Sequence, residues 1–276
     1  MATTAGRSAR GDGMKDILVT GACGGMGRAM TSLLKSRGFR VFALDRTVGE
    51  DEDGVVCISA DVTDEESVYA AAEKVKEYTS SLYAIVHFAG IYMLDSLAEM
   101  EDQEFKRIFD VNLYGAFLIN KAFLPLLSKG SRILITTSEL AVLDPLPFTG
   151  IYAVTKGALD RYAYSLRMEL QLLGIKVSVL RAGAVNTGML GVSTDALDRF
   201  CEKTALYSCN AVRFKGIVER VEARCIPAER LAKKAERIIQ KPSPAFAYHI
   251  NRNPLLLLLN ALPKRLQLWA IRMVLR

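Results

Sequence analysis

The first apolar run of the chain, Ile17 to Thr20, ends directly in Thr20-Gly21-Ala22-Cys23-Gly24-Gly25-Met26-Gly27, and helical spacing begins at Met26. Few folds accommodate such a stretch. A strand that turns straight into a helix through glycines leaves backbone N–H groups bare at the helix N-terminus, where a pyrophosphate can be held. A second apolar run, Arg40 to Leu44, ends in Asp45. An acid there can accept hydrogen bonds from ribose hydroxyls. Strand, glycine turn, helix, strand and acid together make the context of a dinucleotide-binding unit.

The same alternation continues. Val55 to Ser59, Ala84 to Phe88, Arg132 to Thr136 and Ile175 to Leu180 read as strands that are apolar throughout. Between them lie helical patterns. One opens with a capping box at Thr63-Asp64-Glu65-Glu66 and runs to about Tyr78. A second spans Glu101 to Leu127. A third runs from Tyr152 to Leu173 and is closed by Gly174. Strands without a polar face predict a parallel sheet covered on both sides. The expected fold is α/β: a Rossmann-type doubly wound parallel sheet with helices on both faces and a C-terminal helical extension. The expected organisation is a disordered leader over 1–14, one domain over 15–244 and an extension over 245–276.

Met1 to Met14 has no apolar core segment, so no signal peptide is expected. The five cysteines, Cys23, Cys57, Cys201, Cys209 and Cys225, lack metal-ligand spacing. They read as reduced thiols in a cytoplasmic protein, and no metal site is expected. The net charge of +6 is uneven. Arg237, Lys241, Arg252, Lys264, Arg265, Arg272 and Arg276 have no Asp or Glu among them from residue 237 onward, so the body is close to neutral. That distribution argues against nucleic-acid binding.

Tyr152-Ala153-Val154-Thr155-Lys156 places a phenol and an ammonium on one helical face. A free tyrosine titrates near pH 10, too high for easy proton exchange. A cation that lowered it by about three units would supply roughly 4 kcal/mol. By itself the spacing carries little weight; beside a dinucleotide turn it becomes a candidate proton-transfer device.

At this point the sequence resembles the short-chain dehydrogenase/reductase family over about Lys15 to Thr187. Gly21, Gly25 and Gly27 match its Thr-Gly-x-x-x-Gly-x-Gly, and Asp61-Val62 its adenine-contacting pair. Asn112, Ser138, Tyr152 and Lys156 match its catalytic tetrad. Asn186-Thr187 falls where the family contacts the nicotinamide amide. The resemblance implies Tyr152 as general acid/base, with Lys156 lowering the phenol's pKa and holding the nicotinamide ribose. It implies Ser138 as the residue orienting the substrate oxygen. Asn112 would sit at a helix interruption and support a water path. The cofactor-binding set would be Gly21, Cys23, Gly24, Gly25, Met26, Gly27, Asp45, Arg46, Asp61, Val62, Ala89, Gly90, Tyr152, Lys156, Ala182, Gly183, Val185 and Thr187. Asp45 would repel a 2′-phosphate, so NAD is expected over NADP. Two positions depart from the family: His87 stands for an asparagine and would make its structural hydrogen bond, and Ala182 stands for a proline.

The loops expected to carry the substrate are apolar and lack Arg or Lys. Tyr92, Leu140, Leu146 and Met189, with Ser138 and Tyr152, form the expected substrate set. A hydroxysteroid or bile acid fits such a pocket. A 3-oxoacyl thioester, a retinol-type alcohol, or a non-catalytic NAD(P)-sensing role are the alternatives. Residues 188–227 would close over the substrate, with a helix around Asp195 to Tyr207; Ala228 to Ile239 is a further amphipathic helix. The extension carries five leucines, Leu255 to Leu259, and a basic helix after Pro263. It resembles that of the family's retinol and hydroxysteroid dehydrogenases. Three roles are open for it: covering the pocket or a neighbouring subunit, lying peripherally on an anionic membrane, or an unanchored end. A homodimer or homotetramer is expected, with Tyr162, Leu166 and Leu170 as a stripe suited to pairing or to core packing.

Overall fold

The computed structural model describes residues 14–276 apart from 223; the side chains of 188–195 and 220–222, and the expected leader up to residue 13, lie outside the described residues. Strand β1 (Asp16–Thr20) leads through the glycine turn into α1 (Gly25–Ser36) and β2 (Arg40–Asp45). Then come β3 (Val55–Ser59), α2 (Glu65–Lys76), β4 (Ala84–His87) and α3 (Asp102–Phe109). A π-helical turn (Asp110–Tyr114) joins α3 to α4 (Gly115–Phe123), and β5 (Arg132–Ser138) follows. Next are α5 (Gly150–Leu170), β6 (Lys176–Ala182) and β7 (Val185–Asn186). The remainder is α6 (Gly188–Lys203), α7 (Ser208–Glu222), β8 (Ile226–Pro227), α8 (Ala228–Gln240), β9 (Ala247–Ile250), α9 (Pro254–Ala261) and α10 (Lys264–Leu275).

Seven strands form one sheet in the order β3-β2-β1-β4-β5-β6-β9, and every pairing is parallel. Alternate side chains of each strand enter separate cores. Leu18, Ile85 and Ile133 pack under α2, α4 and α5. Ile17, Val86 and Leu134 pack under α1 and α8. Two buried faces are why no strand shows a polar alternation. The strand order reverses between β1 and β4, and a doubly wound sheet opens its crevice beyond the strand ends at that point.

Three local expectations change, and the stripe offered for pairing or core packing takes the second role. The cap of α2 is Asp64, whose carboxylate accepts the Glu66 N–H at 3.0 Å; Thr63 instead donates to Asp61 at 2.7 Å. The stretch 101–127 is two helices around a π turn. The stripe of Tyr162, Leu166 and Leu170 packs on the core below the sheet. Finally, Ala247–Ile250 pairs with β6, so the sheet reaches into the expected extension and only α9 and α10 lie beyond it. A four-residue edge strand with both faces half-covered leaves no apolar run to read.

Candidate active site

The glycine turn is tight. Gly21 holds φ +66°, and a Cβ there would lie 2.6 Å from the Ala89 amide nitrogen. A Cβ on Gly27 would lie 2.0 Å from Gly21 O, and one on Gly25 would lie 2.8 Å from Thr187 Cβ. Helix α1 is capped by Gly24, which offers no side-chain oxygen to the first amides. A bare amide cradle without a Cβ suits a pyrophosphate. Asp45 frames it: its two oxygens accept the Cys23 and Arg46 N–H groups at 2.9 and 2.8 Å. Asp61 is held by Thr63 through a backbone and a hydroxyl donor. Although burial opposes its charge, those two bonds keep the carboxyl below its ordinary range.

A cleft of about 1230 Å³ runs over this cradle. Gly21, Cys23, Gly24, Gly25, Met26 and Gly27 line its floor, Asp45, Arg46, Asp61 and Val62 one end, and Ala89, Gly90 and Thr187 the other. It shares Met26, Phe88, Gly90, Ile91, Tyr92 and Thr187 with a cavity of about 210 Å³. Ser138, Tyr152, Lys156, Ala182, Gly183 and Val185 line that cavity, together with Tyr92, Leu140 and Leu146. The side chain of Met189 lies outside the described residues.

Tyr152 and Lys156 stand on one face of α5, with Lys156 Nζ 5.7 Å from the phenol ring centroid. Tyr92 meets the same ring edge-on at 4.7 Å. Asn112, 1% exposed, lines neither volume. It lies on the π turn, accepts the Ile91 N–H at 2.7 Å and donates to Ile91 O at 2.9 Å and to Thr155 Oγ1 at 3.2 Å. The turn thus ties the loop after β4 to α5. A Cβ on Gly90 would meet Asn112 Oδ1 at 3.1 Å and Lys156 Nζ at 3.2 Å, so these three groups converge.

Burial pushes the Tyr152 phenol up to about 12, and a hydrogen bond with Ser138 draws it part of the way back. Burial likewise pushes the Lys156 ammonium down to about 8. This reverses the expected lowering of the phenol by Lys156. Desolvation acts against both charged forms, and what draws the phenol back is the Ser138 hydrogen bond. The neutral phenol is the form the residues hold at neutral pH.

His87 makes the structural bond expected of it. Its Nε2 lies 3.0 Å from Asn120 Oδ1, and Asn120 donates to the Tyr162 hydroxyl at 3.1 Å. Burial holds its pKa down at about 4.

Two features escaped the sequence, and a third, Phe148 of the apolar loop after β5, takes a part that its loop did not announce. Glu139, beside Ser138, lines the cavity and is buried; burial raises its carboxyl, while the Asn253 N–H it accepts at 2.8 Å pulls it back. Phe148 sits at φ 66° among Phe200, Tyr207 and Phe214, with ring centroids at 4.6, 5.3 and 5.4 Å, and clamps the loop after β5 to α6 and α7. Phe214 and Val218 on α7 and Leu256 on α9 also line the cavity. A buried acid directly after the strand-end serine was the one readable signal; the others arise from long-range packing.

Comparison with known proteins agrees with this geometry. A sequence model described as short chain dehydrogenase matches residues 15–198. NADPH-dependent 1-acyldihydroxyacetone phosphate reductase of Schizosaccharomyces pombe is 31% identical over 192 residues, covering 66% of this chain and 65% of that protein. Estradiol 17-beta-dehydrogenase 2 of Mus musculus is 34% identical over 197 residues, covering 67% of this chain and 51% of that protein. The chain therefore spans between half and two thirds of the length of these relatives. The crystal structure of a short chain dehydrogenase family protein from Francisella tularensis superposes with a TM-score of 0.72 at 20% identity, over 86% of this chain and 97% of that one.

Proposed function

This chain belongs to the short-chain dehydrogenase family, and from that premise we propose that it is an NAD(P)-dependent oxidoreductase acting on a secondary alcohol or its ketone. The substrate is a large apolar molecule, a hydroxysteroid or bile acid in the first reading. One observation carries the proposal: the amide cradle and the Ser138–Tyr152–Lys156 group open into adjoining volumes that share Gly90, Tyr92 and Thr187.

A nicotinamide dinucleotide supplies the carbon that accepts or gives up the hydride. The glycine turn and the α1 amides would hold its pyrophosphate, Asp45 its adenosine ribose, Asp61 and Val62 its adenine, and Lys156 and Thr187 its nicotinamide end. The position of Asp45 favours NAD over NADP. The chain's own work is position and proton handling. Ser138 orients the substrate oxygen. Tyr152 Oη gives that oxygen a proton in reduction and takes it back in oxidation. A buried neutral phenol arrives loaded for the reductive direction. Asn112 fixes Gly90 and Ile91 against α5, so the cofactor floor and the acid/base keep one distance.

The apolar lining supports the substrate class. Ile91, Leu140, Leu146, Phe214, Ile217 and Leu256 surround the reacting groups, with no Arg or Lys except Lys156 among the described lining residues. The estradiol dehydrogenase among the relatives fits that reading. A second reading, reduction of a ketone on an acyl lipid, is favoured by the acyldihydroxyacetone phosphate reductase. Five free cysteines support a reducing cytoplasmic location. Exposed Tyr114, Phe117, Val154, Tyr164 and Met168 on the π turn, α4 and α5 support a homo-oligomer.

The test is reduced-nucleotide formation from NAD⁺ and from NADP⁺ with steroid, bile-acid, retinoid, acyl-lipid and short-chain alcohols. Turnover confined to steroid or bile-acid alcohols with NAD⁺ is expected. Turnover of none, with nucleotide still bound, would make the chain a nucleotide sensor instead.

A further inference from the structure

The last two helices turn two of their polar side chains inward and leave several large apolar ones exposed. On α10, Gln267 is 4% exposed and donates to Asp144 at 3.1 Å, while Leu266, Trp269 and Met273 are 52%, 62% and 60% exposed. On α9, Asn260 points inward, accepting the Asp144 N–H at 2.6 Å and donating to Leu256 O at 2.9 Å, while Leu255 and Leu258 face out. Lys264 also pairs with Asp144. Asn260, Lys264 and Gln267 therefore latch the tail to the loop after β5, while Leu255, Leu258, Leu266, Trp269 and Met273 are left outside. Exposed apolar patches rimmed by polar residues mark an interaction surface.

Charge decides what that surface meets. No acidic residue occurs from 237 onward. Lys264 is engaged by Asp144, but Arg265, Arg272 and Arg276 are exposed and form no ion pair with any described residue. A leucine and tryptophan stripe bordered by unpaired cations complements an anionic lipid surface. A second copy presenting this face would set like charges against each other. No helix among the described residues is long and apolar enough to cross a membrane, so the contact would be lateral.

We propose that α9 and α10 lie on an anionic bilayer surface with Leu255, Leu258, Leu266, Trp269 and Met273 in the interface. Leu256 and Asn253, at the root of the same helix, line the catalytic cavity. Docking would therefore hold the helix that lines the cavity against lipid, the side from which an apolar alcohol would come. The docking itself stands apart from the proposed chemistry; the route for the alcohol rests on it.

The experiment is flotation of the full chain with vesicles of phosphatidylcholine alone and of phosphatidylcholine mixed with phosphatidylglycerol. Deleting 245–276 is unsuitable because it removes β9, so point variants are used. Wild type is expected to float with the mixed vesicles and to lose this in high salt. R265Q/R272Q is expected to lower partition roughly thirtyfold, at about 1 kcal/mol per charge. L266S/W269S is expected to lower it roughly a hundredfold, with an unchanged melting temperature. Three results would overturn the proposal: no flotation, equal flotation with both vesicles, or a smaller oligomer for L266S/W269S by sedimentation, which would assign the stripe to a second copy. Flotation without any turnover would leave the docking intact and remove the enzymatic reading.

Discussion

The two halves of the cleft are built differently. The nucleotide half is made of backbone: the bare amides of α1, the Gly21 turn and the close approach of Gly90 to Asn112 and Lys156. The substrate half is made of side chains drawn from the loop after β5, α7 and α9, which are far apart in sequence. Backbone contacts tolerate no Cβ and so demand glycine at fixed offsets. Side-chain contacts demand only an apolar residue of suitable size, a requirement many residues meet.

The largest effect is expected at the seam between the halves. Tyr152→Phe should lower turnover by roughly 10²- to 10⁴-fold, the range for loss of a positioned acid/base, while nucleotide affinity in fluorescence titration stays unchanged. A variant within tenfold of wild type would remove Tyr152 from the chemistry. Next comes Gly27→Ala. Its Cβ would overlap Gly21 O at 2.0 Å, both being backbone-fixed, so about 3 kcal/mol or more of stability or nucleotide binding should be lost. A tolerated alanine there would break the distinction between the halves.

Behind the nucleotide half, His87 should impose an acid limit. Its folded pKa, about 4, lies below the ordinary 6.5, so the unfolded chain binds the proton first. Stability is complete above about pH 6.5 and falls as the pH drops toward 4, by roughly 3 kcal/mol. Denaturant melts across that window should show the loss in wild type and less of it in His87→Asn; equal slopes would contradict the buried neutral imidazole. The smallest effect is expected on the substrate side. Leu146→Ala should raise KM for a large alcohol only about fivefold and leave nucleotide affinity alone, because neighbouring side chains can relax into the space. A loss of nucleotide binding instead would show the halves to be one unit.

The same distinction explains what could be read in advance. Gly21, Gly25, Gly27 and Asp45 announce the cradle because backbone geometry leaves so few alternatives, and the all-apolar strands announce a sheet buried on both faces. Tyr152 and Lys156 were legible as a pair but their electrostatics were not, since desolvation depends on burial that spacing does not encode. Phe148 was legible as part of an apolar loop but not as a clamp, because its left-handed backbone is held by three rings from α6, α7 and the segment between them. β9 was hidden by its four-residue length, and the tail's apolar pattern was visible without showing that Gln267 and Asn260 would be the residues turned inward.

Tyr152 would handle the proton of a bound alcohol whose hydride a nicotinamide, held by the glycine cradle and Lys156, would accept. That transfer is tested most directly with a turned-over alcohol carrying deuterium on its carbinol carbon. Mass spectrometry of the reduced nucleotide should find the label on the nicotinamide ring with wild type and only trace transfer with Tyr152→Phe. Reduced nucleotide that forms without the label, or label that stays in the alcohol while the nucleotide binds normally, would contradict it.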